Sequence, residues 1–170
     1  MHAQAAAIGL PLVEAWLEPQ SSNGAYERAW SAALDDARTR LGIHHVAYGD
    51  LFLEDVRTYR DALMARLGYT PVYPIWGEPT DQLALAFIAA GHRAILTCVD
   101  TTQLGAEFAG RAFDAALLAE LPARVDPCGE RGEFHTCLIG GPVLGTTIRV
   151  TRGERVLRDN RFQYCDLVPA

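Results

Sequence analysis

The chain has 170 residues, 15 of them basic and all 15 arginine, against 21 acidic residues, for a net charge of −6. Basic side chains this scattered give no track for a phosphate backbone, which argues against nucleic acid as a partner. The lack of lysine removes a Schiff-base amine and the ammonium that phosphate loops place on nucleotides. Apolar runs are broken repeatedly by Gly, Pro or charge, short of the roughly 20 residues that cross a bilayer, and the amino terminus has no basic n-region or apolar h-region. The four cysteines show no CxxC spacing, so no disulfide framework is expected. These features predict a cytoplasmic protein with no membrane association, built on one core with at most a small second lobe.

In chain order, Leu10 to Leu17 reads as a strand that ends at turn signals, Pro19 and Ser21-Ser22-Asn23-Gly24. Tyr26, Ala29, Trp30, Ala33, Leu34, Ala37 and Leu41 recur at helical spacing, with Gly42 as the stop. Ile43 to Tyr48 gives a short strand, and a helix follows over about Glu54 to Leu67, closed by Gly68. Thr70 to Trp76 suits a strand end. A third helix starts near Thr80, an N-cap candidate, and stops at Gly91. Arg93 to Val99 is a nearly continuous apolar run, the pattern of a strand covered on both faces. A fourth helix is expected over about Gly110 to Leu121. This alternation predicts βαβ units and a mainly parallel sheet. After Pro127 only strands are expected: Glu133 to Ile139, Thr147 to Arg152 and Arg161 to Leu167.

Two places concentrate chemistry. Gly49-Asp50 ends a strand, where open parallel sheets hold ligands; Asp50 either serves a ribose hydroxyl, a metal or an amine, or caps the next helix. On that helix Glu54, Arg57, Tyr59 and Arg60 either face an anion or form a solvated face with pairs such as Glu54 with Arg57. The second place is Asp126-Pro127-Cys128-Gly129-Glu130-Arg131-Gly132-Glu133-Phe134-His135-Thr136. Gly129 and Gly132 let a ligand approach the backbone, while Glu130, Glu133, His135 and Thr136 supply carboxylate, imidazole and hydroxyl groups. Strand geometry puts Glu133 and His135 on one face. A zinc site of Cys128, His135 and Cys137 competes with this reading, although paired spacing and a fourth ligand are missing. His44-His45 reads as structural, and Trp76 is either a core anchor or a stacking wall.

The ordered segments Gly49-Asp50-Leu51-Phe52-Leu53-Glu54-Asp55, Pro74-Ile75-Trp76-Gly77, Cys128 to Thr136, and Gly141-Pro142 resemble the bacterial branch of the diphthine-ammonia ligase family, also described as N-type ATP pyrophosphatases or adenine nucleotide alpha hydrolases. The resemblance covers nearly the whole chain. It implies an α/β fold: a Rossmann-like, mainly parallel sheet of PP-loop (HUP) type, N-terminally truncated, with a C-terminal α+β lobe. Residues 1–75 would form the partial nucleotide-binding domain and 76–170 the acceptor-binding lobe. The implied reaction uses ATP and Mg2+ to adenylate an unidentified carboxylate acceptor, with ammonia then displacing AMP. By the same resemblance Gly49, Asp50, Glu54 and Arg57 lie at the nucleotide, and Trp76, Gly77, Gly129, Gly132 and Thr136 at the acceptor. Glu130, Glu133 and His135 would be catalytic.

Family members open with a strand and a Ser-Gly-Gly-Lys-Asp-Ser phosphate loop that this sequence lacks, and Met1 aligns well inside the family pattern. Two strands and a helix are therefore expected to be missing at the front, with little or no ATP hydrolysis by the chain alone. Arg131 stands where the family commonly has Asn. The alternative function is a non-catalytic nucleotide- or partner-binding module, acting as a homodimer that covers an exposed edge strand.

Overall fold

The computed structural model describes residues 1–18 and 21–170; the turn expected at Pro19 lies outside the described residues. In chain order the elements are α1 (His2–Ile8), α2 (Asn23–Leu41), β1 (His45–Ala47), α3 (Glu54–Leu67), β2 (Thr70–Val72), α4 (Thr80–Ala89), β3 (Arg93–Asp100), a 3-10 turn (Ala106–Phe108), α5 (Ala115–Glu120), β4 (Phe134–Gly140), β5 (Val150–Arg158) and β6 (Phe162–Pro169). Their contacts divide the chain into two compact units, Leu12–Gly77 and Met1–Pro11 with Glu78–Ala170.

In the unit Leu12–Gly77, α2 begins where the Ser22 hydroxyl accepts the Ala25 amide, and it ends at Gly42 in the left-handed conformation, φ 67°. Glu54 and Asp55 place negative charge on the first turn of α3, and Gly68 closes that helix in the same way as Gly42. The strands flanking α3 pair in parallel, His45 opposite Thr70 and Ala47 opposite Val72, which makes β1-α3-β2 a single crossover unit. Leu34, Tyr48, Leu63, Met64 and Tyr69 form the core. The Tyr69 hydroxyl donates to the Leu34 carbonyl at 2.6 Å, and Arg38 donates to that hydroxyl and to the Leu67 carbonyl, so α2 is pinned to the end of α3.

The other unit is organised by a four-stranded antiparallel sheet in the order β4-β3-β6-β5. β3 is its most buried strand, and Ala94, Leu96 and Val99 share a core with Ala84 of α4, Leu117 of α5, Phe113 and Phe134. β5 and β6 are joined by a tight turn at Asp159 and Asn160, whose φ values of 53° and 49° fit the short-hairpin turn that these two residue types tolerate. At the end of β3 the buried Asp100 carboxylate accepts from Arg161, Thr102 and Gln103, joining the sheet's central strands. α1 belongs to this unit too: Gln4 donates to the Leu138 carbonyl at 3.0 Å, and the Gly145 amide donates to Ala7 at 2.7 Å.

Four expectations are corrected. The sheet is not mainly parallel; among the described residues only β1 and β2 run parallel. Leu10 to Leu17 is not a strand: Pro11 interrupts it, Trp16 stands exposed, and the regular element nearby is α1. The helix expected from Gly110 starts only at Ala115, because Gly110 has a φ of 82° and the chain through Ala112 bridges to Ile95 before Asp114 caps the helix. Pro79 rather than Thr80 occupies the N-cap of α4. No helix among the described residues is long and apolar enough to cross a membrane.

Candidate functional site

The loop from Asp126 to Glu133 is folded around two of its own carboxylates. Asp126 Oδ1 accepts from the Cys128 amide at 2.8 Å and the Glu130 amide at 3.4 Å. Glu133 accepts the Asp126 amide at 2.8 Å on Oε1 and the Arg131 amide at 2.9 Å on Oε2. The Gly129 amide donates to the Asp126 carbonyl and the Gly132 amide to the Gly129 carbonyl. Pro127 has no amide, so every N–H from Asp126 to Gly132 is engaged within the loop. Such a loop cannot cradle a phosphate on its backbone, since a phosphate nest needs those N–H groups pointing outward. The Asp100 amide donates to the Glu133 carbonyl and ties the loop to β3.

The expectation that Glu133 and His135 share a face is therefore corrected. Glu133 precedes β4, is 1% exposed, and has both oxygens occupied by backbone amides, while His135 is exposed. Arg131 and Thr136 are also exposed, and Glu130 is half-buried. Cys98 and His135 are cross-strand partners, and the Thr97 hydroxyl donates to the His135 carbonyl.

Gly129 has a specific local role. Its φ is 70°, and an added Cβ would lie 2.8 Å from the Phe134 carbonyl oxygen and 3.1 Å from the Phe134 ring. Gly129→Ala is expected to destabilise the protein by about 1–3 kcal/mol, a cost measurable by urea denaturation, whereas Gly132→Ala should carry only the backbone part of it.

The zinc reading finds no ligand set. The Cys128 thiol donates to the Thr80 carbonyl at 3.3 Å, and burial, reinforced by Asp126 and Glu130, pushes it up to about 11. Cys137 Sγ accepts from Gln4. Among the described residues no group of three or more His, Cys, Asp or Glu is gathered to hold a metal.

In the unit Leu12–Gly77, Asp50 does not cap α3, whose N-cap is Leu53. Asp50 Oδ2 instead lies 2.8 Å from Arg60 Nε, an ion pair in which both buried atoms lack an aligned hydrogen bond. The Arg60 guanidinium also sits 4.3 Å over the Tyr48 ring. Arg57 is 4.7 Å from the Tyr73 ring centre and 4.5 Å from that of Trp76, with Asp61 as its ion-pair partner at 3.8 Å. The Tyr73 hydroxyl donates to Asp61, and burial followed by that bond holds the phenol above its usual range. Tyr26, Trp30, Tyr48, Tyr73 and Trp76 form a chain of ring contacts with centroids 6.4, 6.4, 5.6 and 5.9 Å apart. Trp76 is thus packed at the end of an aromatic array, and the Gly77 amide donates to the Leu51 carbonyl. Glu54 is exposed on the first turn of α3, and Gly49 is exposed beside Asp50.

An open cleft of about 440 Å³ lies in this unit, lined by Asn23, Tyr26, Val56, Tyr59 and Arg60. Asn23 and Tyr26 escape a reading by sequence because one serves as a turn signal and the other as a helix apolar position. Asp126 escapes as a brace, although Asp followed by Pro and Gly is the composition of a side-chain-capped turn.

The family model described as diphthamide synthase C-terminal domain matches residues 79–167, more than half of the chain. The matched span contains the whole Asp126 to Thr136 segment and most of the antiparallel sheet. Comparison with curated proteins gives no significant match.

Proposed function

The chain belongs to the diphthamide synthase family, and from that premise we propose that it is an ATP-dependent enzyme of the diphthine-ammonia ligase type. A carboxylate attacks the α-phosphorus of ATP, pyrophosphate leaves, and ammonia then displaces AMP from the acyl adenylate to give an amide and a proton. The observation that carries this reading is the match over residues 79–167, which includes the Glu130 to Thr136 loop.

The loop's internal bonding narrows its task. With its amides engaged, it suits the amine side of the reaction rather than the phosphate side: Glu130, His135 and Thr136 present acceptors and a base that can take a proton from ammonium. Glu133 acts through shape, by bracing the loop. The nucleotide is assigned to Gly49, Asp50, Glu54 and Arg57, on a unit we read as part of a Rossmann-like sheet of PP-loop type. Mg2+ fits this arrangement only as an ion carried by ATP, since no cluster of protein ligands is gathered for it among the described residues. When bound to the phosphates it supplies charge neutralisation. The setting is assigned to the cytoplasm.

Incubated with Mg-ATP, ammonium and carboxylates, the protein is expected to release AMP and pyrophosphate slowly and in equal amounts, with His135→Ala lowering the rate at least about tenfold. Formation of ADP instead would reject the α-phosphate reading. One observation favours a second reading, a non-catalytic binding module acting as a homodimer: the Gly-rich loop provides no phosphate cradle. Absence of AMP with a dimeric mass by light scattering would select it.

A further inference from the structure

We propose that the open edge of β5 pairs antiparallel with β5 of a second copy of this chain, about a two-fold axis at Val156, so that the two antiparallel sheets join edge to edge. This deepens the homodimer reading and rests on it. In the order β4-β3-β6-β5, β5 has a strand neighbour on one side only. Every residue of β5 except Val150 and Val156 is exposed. Such an edge presents backbone donors and acceptors that another strand can take up.

The charge pattern selects a second copy as that strand. A register shift against β6 puts a bulge at Gly153-Glu154, and from Arg155 to Arg158 the strand is regular, pairing one for one with Cys165 to Phe162. Alternation along a strand therefore gives Glu154, Val156 and Arg158 one face, and Arg155 and Leu157 the other. A two-fold axis through Val156 sets each residue against the one equally far from Val156 on the other copy. Glu154 then meets Arg158 of the second copy, Arg158 meets its Glu154, and Val156 meets Val156. On the opposite face Leu157, 51% exposed, is set against Arg155 and loses water. The Arg155 guanidinium reaches back to Gly110, where an added Cβ would lie 3.5 Å from it, so its stem is what Leu157 covers.

A bulge and charged residues also serve to guard an edge against association. A guard of that kind works when two copies bring like charges together, and here the symmetry brings glutamate to arginine. Sliding the register by two residues, to centre on Glu154 or on Arg158, would oppose like charges, so the pairing is also specified. Arg158 lies 4.9 Å from the Tyr164 ring centre, and among the described residues neither it nor Glu154 is committed to an ion pair. A contact of one short strand is small for a protein interface, so the dimer is reversible and sensitive to salt.

The test is sedimentation velocity over a concentration series at low salt, on the wild-type chain, Glu154→Arg, Arg158→Glu and the variant carrying both changes. Circular dichroism checks that each folds. The expected result is a reversible wild-type dimer that each single reversal weakens about tenfold or more, since two cross-strand pairs turn from attractive to repulsive. The doubly changed chain, with its charges exchanged, should return to wild-type affinity, a rescue that a merely structural defect would not show. A wild-type dimer that no variant alters overturns the proposal and leaves the homodimer reading standing on another surface. Single reversals that weaken the dimer without rescue by the exchange also overturn this pairing. A wild-type chain that stays monomeric throughout removes both.

Discussion

Replacing Glu133 with Ala is expected to cost about 3–5 kcal/mol of unfolding free energy, the largest single effect anticipated in the Asp126 to Thr136 segment. Its carboxylate is 1% exposed and accepts from the amides of Asp126 and Arg131. A hydrogen bond to a charged acceptor is worth about 1.5–3 kcal/mol net, and two buried N–H groups would lose theirs together. Glu133→Gln keeps the shape but turns an amino group toward one of the two donors, so about half the loss is expected. Urea denaturation of both variants measures the difference. A loss below about 1 kcal/mol for the Ala variant would show that water replaces the carboxylate and that the loop does not depend on it.

The second large effect concerns Arg161→Leu. Asp100, 1% exposed at the end of β3, accepts from Arg161 Nε at 3.0 Å and Nη2 at 2.6 Å, and also from Thr102 and Gln103. Removing the cation leaves a buried carboxylate partly compensated by neutral donors. The Arg161 side chain is 51% exposed, so solvent screens the pair, and the expected result is a clearly lowered urea midpoint near neutral pH, smaller than a fully buried pair would give.

The pH dependence has a definite sign. The Arg161 hydrogen bonds, ahead of those from Thr102 and Gln103, hold the Asp100 carboxyl well below the usual carboxylate range. A folded-state pKa lower than the unfolded one gives stability that is complete above the unfolded value of about 3.9 and is lost as pH falls through the folded value. The stability gap between wild type and Arg161→Leu should therefore narrow as pH is lowered through the carboxylate range. Chemical denaturation at pH 7, 5 and 3 reads this directly, and a gap that stays constant would remove Asp100 as its cause.

Local signals predicted local structure well. The helical spacing from Tyr26 to Leu41 and the Gly42 stop correspond to α2, and Glu54 to Leu67 with Gly68 corresponds to α3, since glycine at a helix end takes a left-handed φ at little cost. Pairing was not legible. The apolar run Arg93 to Val99 does mark a strand buried on both faces, but the same run suits the centre of a parallel or an antiparallel sheet. Its partners β4 and β6 come from the far end of the sequence, where alternation of elements carries no information on direction.

The candidate site was legible as a stretch of composition, not as a set of contacts. Composition located the Asp126 to Thr136 segment but could not show that Asp126 and Glu133 turn inward while His135 turns out, because that depends on which amides the fold leaves to be satisfied. Likewise Asp50 stood out as a strand-end carboxylate, whereas its neutralisation by Arg60 ten positions later needed the helix in place.

The attachment of α1 to β4 bears on how the protein is made. Gln4 meets its partner on Leu138 across 134 positions of chain, and Ala7 waits for Gly145. During translation, residues Leu12–Gly77 emerge with their own core contacts and can settle early. The first helix must remain undocked until the chain through Gly145 has left the ribosome, because closing so long a loop precedes the contacts that reward it.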